Sequence, residues 1–463
     1  MIPLRFHFIF GLQPDFGGKP FSFMHYMAVK SALTVHPGAK AFLHYEHEPK
    51  GIYWEVAKRY AEPVRVKAPK EIFGRPLLHV AHQTDLLRLQ ILHEQGGIYL
   101  DIDTITTGGF ASLLAYSCVM ARQGYGETDR GMCNAVILSE PRHPFIAAWI
   151  EEFKVFRSQG RDEFWDEHAV VVPRRLMDTG RYEVRVLQPE AFFVPSYDTF
   201  GIADMFIDDR SFPQSLCHHL WESQAWHVAA RIDERNVATL RNTYCRLAKD
   251  FVGEDAALFR EMREAEMVRA AREGLRVNLG CGVQRIDGWV NVDREPQAGP
   301  DMLFDIGGEA RWPLGDDSVV EANASHVLEH LSSDGFRRFF QELYRVCRDG
   351  AAIHLRVPNP THDWFWTDPE HVRPVLPATL EMLNREQCRV LMVAGDTKTP
   401  LAVYWDVDFV LQKAVFTLDP QFDEQRAREG ISDEEVIRRA RHQNNIVGEY
   451  VMDIVARKPV PAR

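Results

Sequence analysis

No stretch of this sequence stays apolar for the roughly 20 residues that a membrane-spanning helix needs. The longest run, around Leu113 to Ala121, is broken by Tyr116 and Ser117. A transmembrane segment is therefore not expected, which leaves peripheral membrane association open. A basic stripe is also missing. The formal charge is −12, with the acidic surplus spread along the chain. Nucleic-acid binders normally carry clustered Lys and Arg, so no nucleic-acid partner is expected, and the acceptor should be a sugar or small molecule. The seven cysteines are scattered, odd in number and without a C-x-x-C pair. That argues against a disulfide framework or structural zinc and suits free thiols in a reducing cytosol, so the expected location is cytoplasmic. The opening residues MIPLRFHFIFGL lack a basic leader and a small-residue cleavage site, and read as a first strand instead of a signal peptide. Proline is absent from Gln214 to Glu295, and within that span Leu258, Met262 and Ala265 recur at helical spacing.

What is present is enough for two cores. The chain has 463 residues, 45% of them hydrophobic, so two domains of about 200 residues can each bury an ordinary interior. Apolar runs at 4–10, 40–45 and 64–68 look like strands, and the patterns at about 21–35, 51–61 and 81–95 look helical. This alternation predicts an α/β domain with a largely parallel sheet over residues 1–232. Helices are expected over 233–273 as a linker, closed by Gly274 as a C-cap. A second strand–glycine loop–helix pattern begins at 275, giving a second α/β domain over 274–463, with strand-like segments near 403–417 and 448–457.

The most informative stretch is HQTDLLRLQILHEQGGIYLDID, His82 to Asp103. Its helix stops at Gly96-Gly97. If a strand follows, Tyr99, Asp101 and Asp103 share one face and two carboxylates leave its C-terminal end, where α/β sheets bind ligands. Two anions held together repel unless a cation lies between them. Hard oxygen ligands favour Mg²⁺ or Mn²⁺, which would neutralise a departing nucleoside diphosphate. A lone D-x-D is more often a cap at a strand-to-turn corner. Here Asp85 and Arg88, three apart on one face of the preceding helix, add groups able to hold sugar hydroxyls or phosphate.

The run D-x-x-R-x-x-x-L-x-x-x-G-G-I-Y-L-D-x-D resembles the DXD sugar-binding region of family 32 glycosyltransferases, and IPLRFHFIFG, CNAVILSEPRHPF and HLWESQAW extend the likeness over about 1–230. The resemblance implies a GT-A-like fold and a nucleotide-sugar donor. It places Asp101 and Asp103 on metal and nucleotide-sugar, Asp85 and Arg88 on the donor sugar, and Phe10 near the base. It makes His219, with His218 as the alternative, a further metal or diphosphate ligand. It also implies retention of anomeric configuration.

The second candidate site is RVNLGCGVQRIDGWVNVD, Arg276 to Asp293. Gly280 and Gly282 allow a close ligand approach, and Asp293 stands where a carboxylate could accept ribose hydroxyls. The longer G-x-G-x-x-G of dinucleotide binders is absent, because Arg285 occupies the third position. With FDIGG, WPLGDDSVVEANASHVLEHL and ELYRVCRDGAAIHLRVPN following in order, the segment resembles class I S-adenosylmethionine (SAM)-dependent methyltransferases of sugar-modification clusters. That likeness implies a Rossmann-like fold with Asn278, Gly280 and Gly282 at the methionyl end of SAM, Asp293 on its ribose and Asp305 near its adenine. Asp349-Gly350-Ala351 replaces the usual Pro-Gly-Gly turn.

Methylating a sugar hydroxyl calls for a base or a well-oriented alcohol. The candidates are His371, in the aromatic-rich HDWFWTDPEHVRP with His362 and Asp363, and the pair His326 and His330, which would share a face if a helix starts there. The expectation is a bifunctional enzyme acting on a glycan or sugar acceptor. The alternative is a methyltransferase whose N-terminal domain recognises sugar without transferring it.

Overall fold

The computed structural model describes residues 1–125 and 129–458 and divides into two compact units, 1–262 and 263–463. In the first unit β1 (Arg5–Ile9) leads into α1 (Phe23–Val35), then β2 (Lys40–Tyr45) and β3 (Glu62–Arg65). Helix α2 (Val80–Gln95) precedes β4 (Gly97–Leu100) and the short β5 (Thr104–Thr106). Strands β6 (Cys118–Ala121), β7 (Val136–Ser139), β8 (Arg185–Leu187) and β9 (Cys217–His219) follow, then α3 (Glu222–Ala229) and α4 (Thr243–Val252). The main sheet has the order β8-β6-β7-β4-β1-β2-β3. Strands β4, β1, β2 and β3 run parallel, while β7 is antiparallel to both neighbours.

Strand β4 reads Gly-Ile-Tyr-Leu and is buried throughout. The sheet has apolar layers on both faces, one around Phe6, Phe8 and Tyr26 and the other around Leu86, Ile137 and Trp149. That is why β4, β6 and β7 are near-continuous apolar runs, buried at every position. Helix α2 ends because Gly96 and Gly97 take φ +63 and +112; a Cβ on Gly97 would lie 2.6 Å from the Arg5 side chain. The glycine pair thus stops the helix and lets β4 drop directly into the sheet beside β1.

In the 233–273 segment, α4 and α5 (Asp255–Glu273) are helical, while 233–241 is a series of turns. Val237, Tyr244, Cys245, Ala248, Val252 and Phe259 are buried in the core of the first unit. The division between units falls within α5, whose last turn ends on the Gly274 N–H bonded to the Ala270 carbonyl.

The second unit is built on β10 (Leu275–Leu279), β11 (Val290–Asp293), β12 (Met302–Leu303) and β13 (Val319–Ser325). Helix α6 (Ser333–Val346), β14 (Cys347–Pro358), β15 (Phe409–Leu418) and β16 (Val447–Ala456) complete it. Residues 401–405 form a helical turn, so the strand expected from 403 begins only at Phe409. The order is β12-β11-β10-β13-β14-β16-β15, parallel as far as β14 and antiparallel beyond. Connections leave β10 and β13 towards opposite sides, which makes the gap between them a topological switch point. Both units are α/β, the first GT-A-like and the second Rossmann-like. Among the described residues no helix is long and apolar enough to cross a membrane.

Candidate functional site

The strand expected to run through Asp103 stops at Leu100. Asp101 to Asp103 are a turn, and the chain then enters β5, which pairs with β9 in a separate two-stranded sheet. The turn is closed by the Asp101 N–H on the Ala135 carbonyl at 2.8 Å and the Thr104 hydroxyl on the Asp101 carbonyl at 2.9 Å. Strand alternation therefore does not aim the two carboxylates together. The turn and the change of sheet do.

Strand β9 supplies the third member. Its pairing sets His219 opposite Thr104, and its imidazole Nε2 lies 3.3 Å from Asp103 and 3.9 Å from Asp101. His218, one residue earlier, points to the other face, as strand geometry requires, and bonds the Val194 carbonyl at 2.6 Å. Burial holds its pKa down to about 4. The choice between the adjacent histidines thus falls on His219.

Each carboxylate has its own support. Asp101 accepts from the Tyr99 hydroxyl at 2.7 Å and pairs with Arg88 at 3.1 Å. Asp103 accepts the Glu222 N–H at the start of α3 at 2.7 Å, and its carbonyl accepts the Leu220 N–H. Arg88 is buried and also reaches Asp85 at 3.3 Å and both oxygens of Asn134, at 2.8 and 3.0 Å. Asn134 in turn donates to Asp85 at 2.7 Å. In this structure Asp85 and Arg88 are bound to each other, and Arg88 is bound to the turn through Asp101.

Burial, with the Asp103 charge beside it, raises the pKa of Asp101 although Arg88 pulls the other way. Burial also opposes ionisation of Asp103, but His219 and the Glu222 N–H outweigh it and hold Asp103 well below the usual carboxylate range. Burial would strip the proton from His219, yet the Asp103 carboxylate beside it raises its pKa well above the ordinary value. The raised pKa of His219 favours its charged form beside the two carboxylates, a position that a metal cation could also take.

Trp221 packs on His219, with ring centres 4.1 Å apart, from φ +54, a costly conformation for a bulky residue. Phe10 follows β1, stacks on Phe16 at 5.8 Å, and contacts His25, which in turn faces Glu222. Phe16 lines a cavity of about 520 Å³ with Tyr45, His47 and Arg65, beyond the carboxyl ends of β1 and β2.

In the second unit, Gly280 and Gly282 take φ +66 and +48. A Cβ on Gly280 would lie 2.5 Å from Val327, whereas one on Gly282 would meet nothing within 4 Å. The loop leaving β10 therefore packs against the segment leaving β13 and is open on its other side. Asp293, ending β11, accepts the Gly282 N–H at 2.7 Å and the Glu295 N–H at 2.9 Å. Asn278 is buried and ties β10 to Asn291, Asn323 and the Gln284 carbonyl, so it shapes the loop from beneath. Asp305 caps the turn after β12 by accepting the Gly307 N–H at 2.9 Å.

His326 and His330 do not share a helical face. His326 sits at φ +55, and only a single short turn, Leu328–His330, separates it from a further loop. Instead His330 meets His371, with ring centres 4.7 Å apart. His362 is engaged with Asp419 at 3.1 Å, and Asp363 with Asn445; both line a second cavity of about 480 Å³.

Residues 26–120 match the family described as glycosyltransferase sugar-binding region containing DXD motif. The chain is 31% identical over 265 residues to glucan organizing enzyme 1 of Cryptococcus neoformans var. grubii, covering 55% of this chain and 71% of that one. The chain belongs to the DXD-containing glycosyltransferase family. It is also 24% identical over 156 residues to mannosyl phosphorylinositol ceramide synthase SUR1 of Saccharomyces cerevisiae, covering 30% of this chain and 38% of the relative.

Similar solved structures include a SAM-dependent methyltransferase from Archaeoglobus fulgidus, 19% identical, TM-score 0.28, covering 42% of this chain and 94% of that one. The PaToxG glycosyltransferase is 18% identical, TM-score 0.28, covering 39% and 69%. At these scores the likeness adds nothing to the topology described above.

For a glycosyltransferase of this family, the matched region contains α2 and the Asp101–Asp103 turn but ends before Asn134, His219 and Trp221. Those three, with Glu222, complete the site from distant parts of the chain, and Tyr99 joins them from the strand that leads into the turn. Asn134 and Trp221 lie in the outlying segments CNAVILSEPRHPF and HLWESQAW, which was the available signal, but neither stands at a spacing that predicts contact with the turn.

Proposed function

We propose that the chain is bifunctional: it transfers a sugar from a nucleotide-sugar donor at the Asp101–Asp103 turn, and a methyl group from SAM at the glycine loop, to a glycan or sugar acceptor. The observation that carries the first half is the convergence of Asp101, Asp103 and His219, whose candidate ligand atoms lie within 4.8 Å of one another. Two carboxylates and an imidazole suit Mn²⁺ or Mg²⁺ with diphosphate oxygens completing the shell. When bound, the metal would offset negative charge growing on the leaving nucleoside diphosphate. Arg88 orients Asp101 and compensates its charge, Glu222 N–H and Leu220 N–H fix Asp103, and Trp221 limits water at the turn. Retention of anomeric configuration is part of the proposal and is read from the configuration of the product.

The second half is supported by Gly282, open to solvent, standing beside Asp293 at the switch point. The Asp293 carboxylate could exchange its hydrogen bond from the loop for the ribose hydroxyls, and the Gly282 N–H would then be free for SAM. Residues 274–463 are the proposed methyltransferase domain. A thermal-shift screen of the full chain against nucleotide-sugars with Mn²⁺, and separately against SAM, tests both halves. Stabilisation by one donor with metal and by SAM is expected. No response to any nucleoside diphosphate with metal would remove the first half, and no response to SAM the second.

A further inference from the structure

Glu329 is fully buried, and neither of its carboxylate oxygens makes a hydrogen bond among the described residues. An unsatisfied buried carboxylate is costly and needs a compensating group. Its nearest cationic neighbour is the His326 Nδ1 at 3.3 Å, and His326 also pairs with Glu449 through its other nitrogen. On the same side stand His330 and His371, and one donor atom from each of Glu329, His330 and His371 falls within 4.8 Å of the others.

The fold holds this group together by its backbone. The Glu329 carbonyl accepts the N–H groups of Val372 and Arg373 at 2.9 and 3.2 Å, which fastens the loop carrying His371 to the turn after β13. The His371 Nδ1 lies 2.7 Å from the Phe365 carbonyl. A carbonyl can only accept, so Nδ1 carries a proton, and in the neutral ring Nε2 keeps its lone pair, with the Asp368 carboxylate 3.8 Å away. Metal-bound histidines are usually fixed in this way, by a carbonyl or carboxylate on the ring nitrogen that does not bind the ion.

We propose that Glu329, His330 and His371 form a second divalent-cation site, distinct from the Asp101–Asp103 turn and suited to a first-row transition ion such as Zn²⁺. Two imidazoles and one carboxylate are a donor set that binds such ions with positions left over for water or a ligand oxygen. The site lies where the chain leaves β13, beside the Val327 that packs on Gly280. That position would let the ion take a hydroxyl of the methyl acceptor, a role that rests on the methyltransferase reading. Uptake of the ion does not.

The test uses the full chain carrying Asp101→Asn and Asp103→Asn, so that the N-terminal turn no longer competes, with circular dichroism as the check on folding. Calorimetric titration with Zn²⁺ alone should show a single equivalent bound, and Co²⁺ in its place should give visible absorption from nitrogen ligation. Adding Glu329→Gln or His371→Asn should weaken Zn²⁺ binding at least about 100-fold, since even second-layer changes cost 10–100-fold. His330→Ala, at a partly exposed residue, should do the same without threatening the core. The wild-type chain, titrated alongside His330→Ala, guards against damage from the asparagine substitutions and should bind more Zn²⁺ by one equivalent. Zn²⁺ uptake that is absent in wild type, or unchanged by all three substitutions, would overturn the site. Uptake that persists without SAM binding would leave the site standing and remove only its role in methyl transfer.

Discussion

The Asp101–Asp103 turn and the Gly280–Gly282 loop both lie at strand ends, yet they are built in opposite ways. At the turn the charged groups are buried or half-buried and each has a partner: Tyr99 from the strand just before it, Arg88 from α2, Asn134 from ahead of β7, and His219 and Glu222 from the adjoining β9 and α3. At the loop, the Asp293 carboxylate accepts the N–H groups of Gly282 and Glu295, within the same strand–loop unit. A buried charge cannot exist without distant compensation, so the first site commits much of its unit's structure to a single geometry. The second needs only two glycines and a strand end, and it leaves its ligand-facing side open. The first should therefore be sensitive to distant mutations in stability as well as activity, and the second in ligand affinity alone.

The sharpest way to break that contrast is Arg88→Met. It leaves Asp85 and Asp101 buried without their cation and should destabilise the first unit by about 3–5 kcal/mol. Urea unfolding should show this as a lower midpoint. A midpoint unchanged from wild type would mean that the turn is more hydrated than its burial indicates. Asp103→Asn keeps the shape and removes the charge. Turnover of the nucleotide-sugar should fall roughly 10²–10³-fold, about 2.7–4 kcal/mol, the scale of losing one key electrostatic stabiliser. At the glycine loop, Asp293→Ala should weaken SAM binding by about 1–3 kcal/mol in calorimetry, with little change in unfolding. An unchanged SAM dissociation constant would place the ribose elsewhere.

The smallest expected effect is a pH dependence confined to the first site. The pKa of His219 is raised in the fold above its ordinary 6.5, so its pairing contributes stability in full below 6.5 and loses it as pH rises through the folded value. Asp103 is depressed below its ordinary 3.8, so its contribution is present above 3.8 and disappears as pH falls through the lowered value. Metal-free protein should thus lose stability on the alkaline side of neutrality, and His219→Gln should flatten that limb. Thermal melts across pH compare the two proteins directly. Mn²⁺ should have the opposite trend, binding more tightly as the proton leaves His219.

The same contrast explains what could be read from the sequence. The glycine loop was legible because all its parts lie within Arg276 to Asp293, and local spacing carried them. The D-x-D was legible as a motif, but its geometry was not. Alternation predicted a strand through Asp103, whereas the chain leaves the sheet after Leu100 because β5 pairs with β9 and not with the main sheet. No local pattern encodes that exchange. His219 could be separated from His218 only once the pairing with Thr104 fixed which face each occupies. His326 and His330 looked like one helical face, but a left-handed residue at 326 prevents a helix from starting there, and His330 turns instead to His371. In each case the missing information is a contact across more than 30 residues or a backbone conformation that an ordinary side chain rarely adopts.

The role proposed for the turn is to act through a divalent metal held by Asp101, Asp103 and His219. It is tested most directly by following nucleotide-sugar turnover in EDTA and after adding back Mn²⁺, in wild type and in Asp103→Asn. Wild-type turnover should disappear in EDTA and return with Mn²⁺, while Asp103→Asn with Mn²⁺ should stay at least about 100-fold below wild type. Wild-type turnover that continues undiminished in excess EDTA would contradict it.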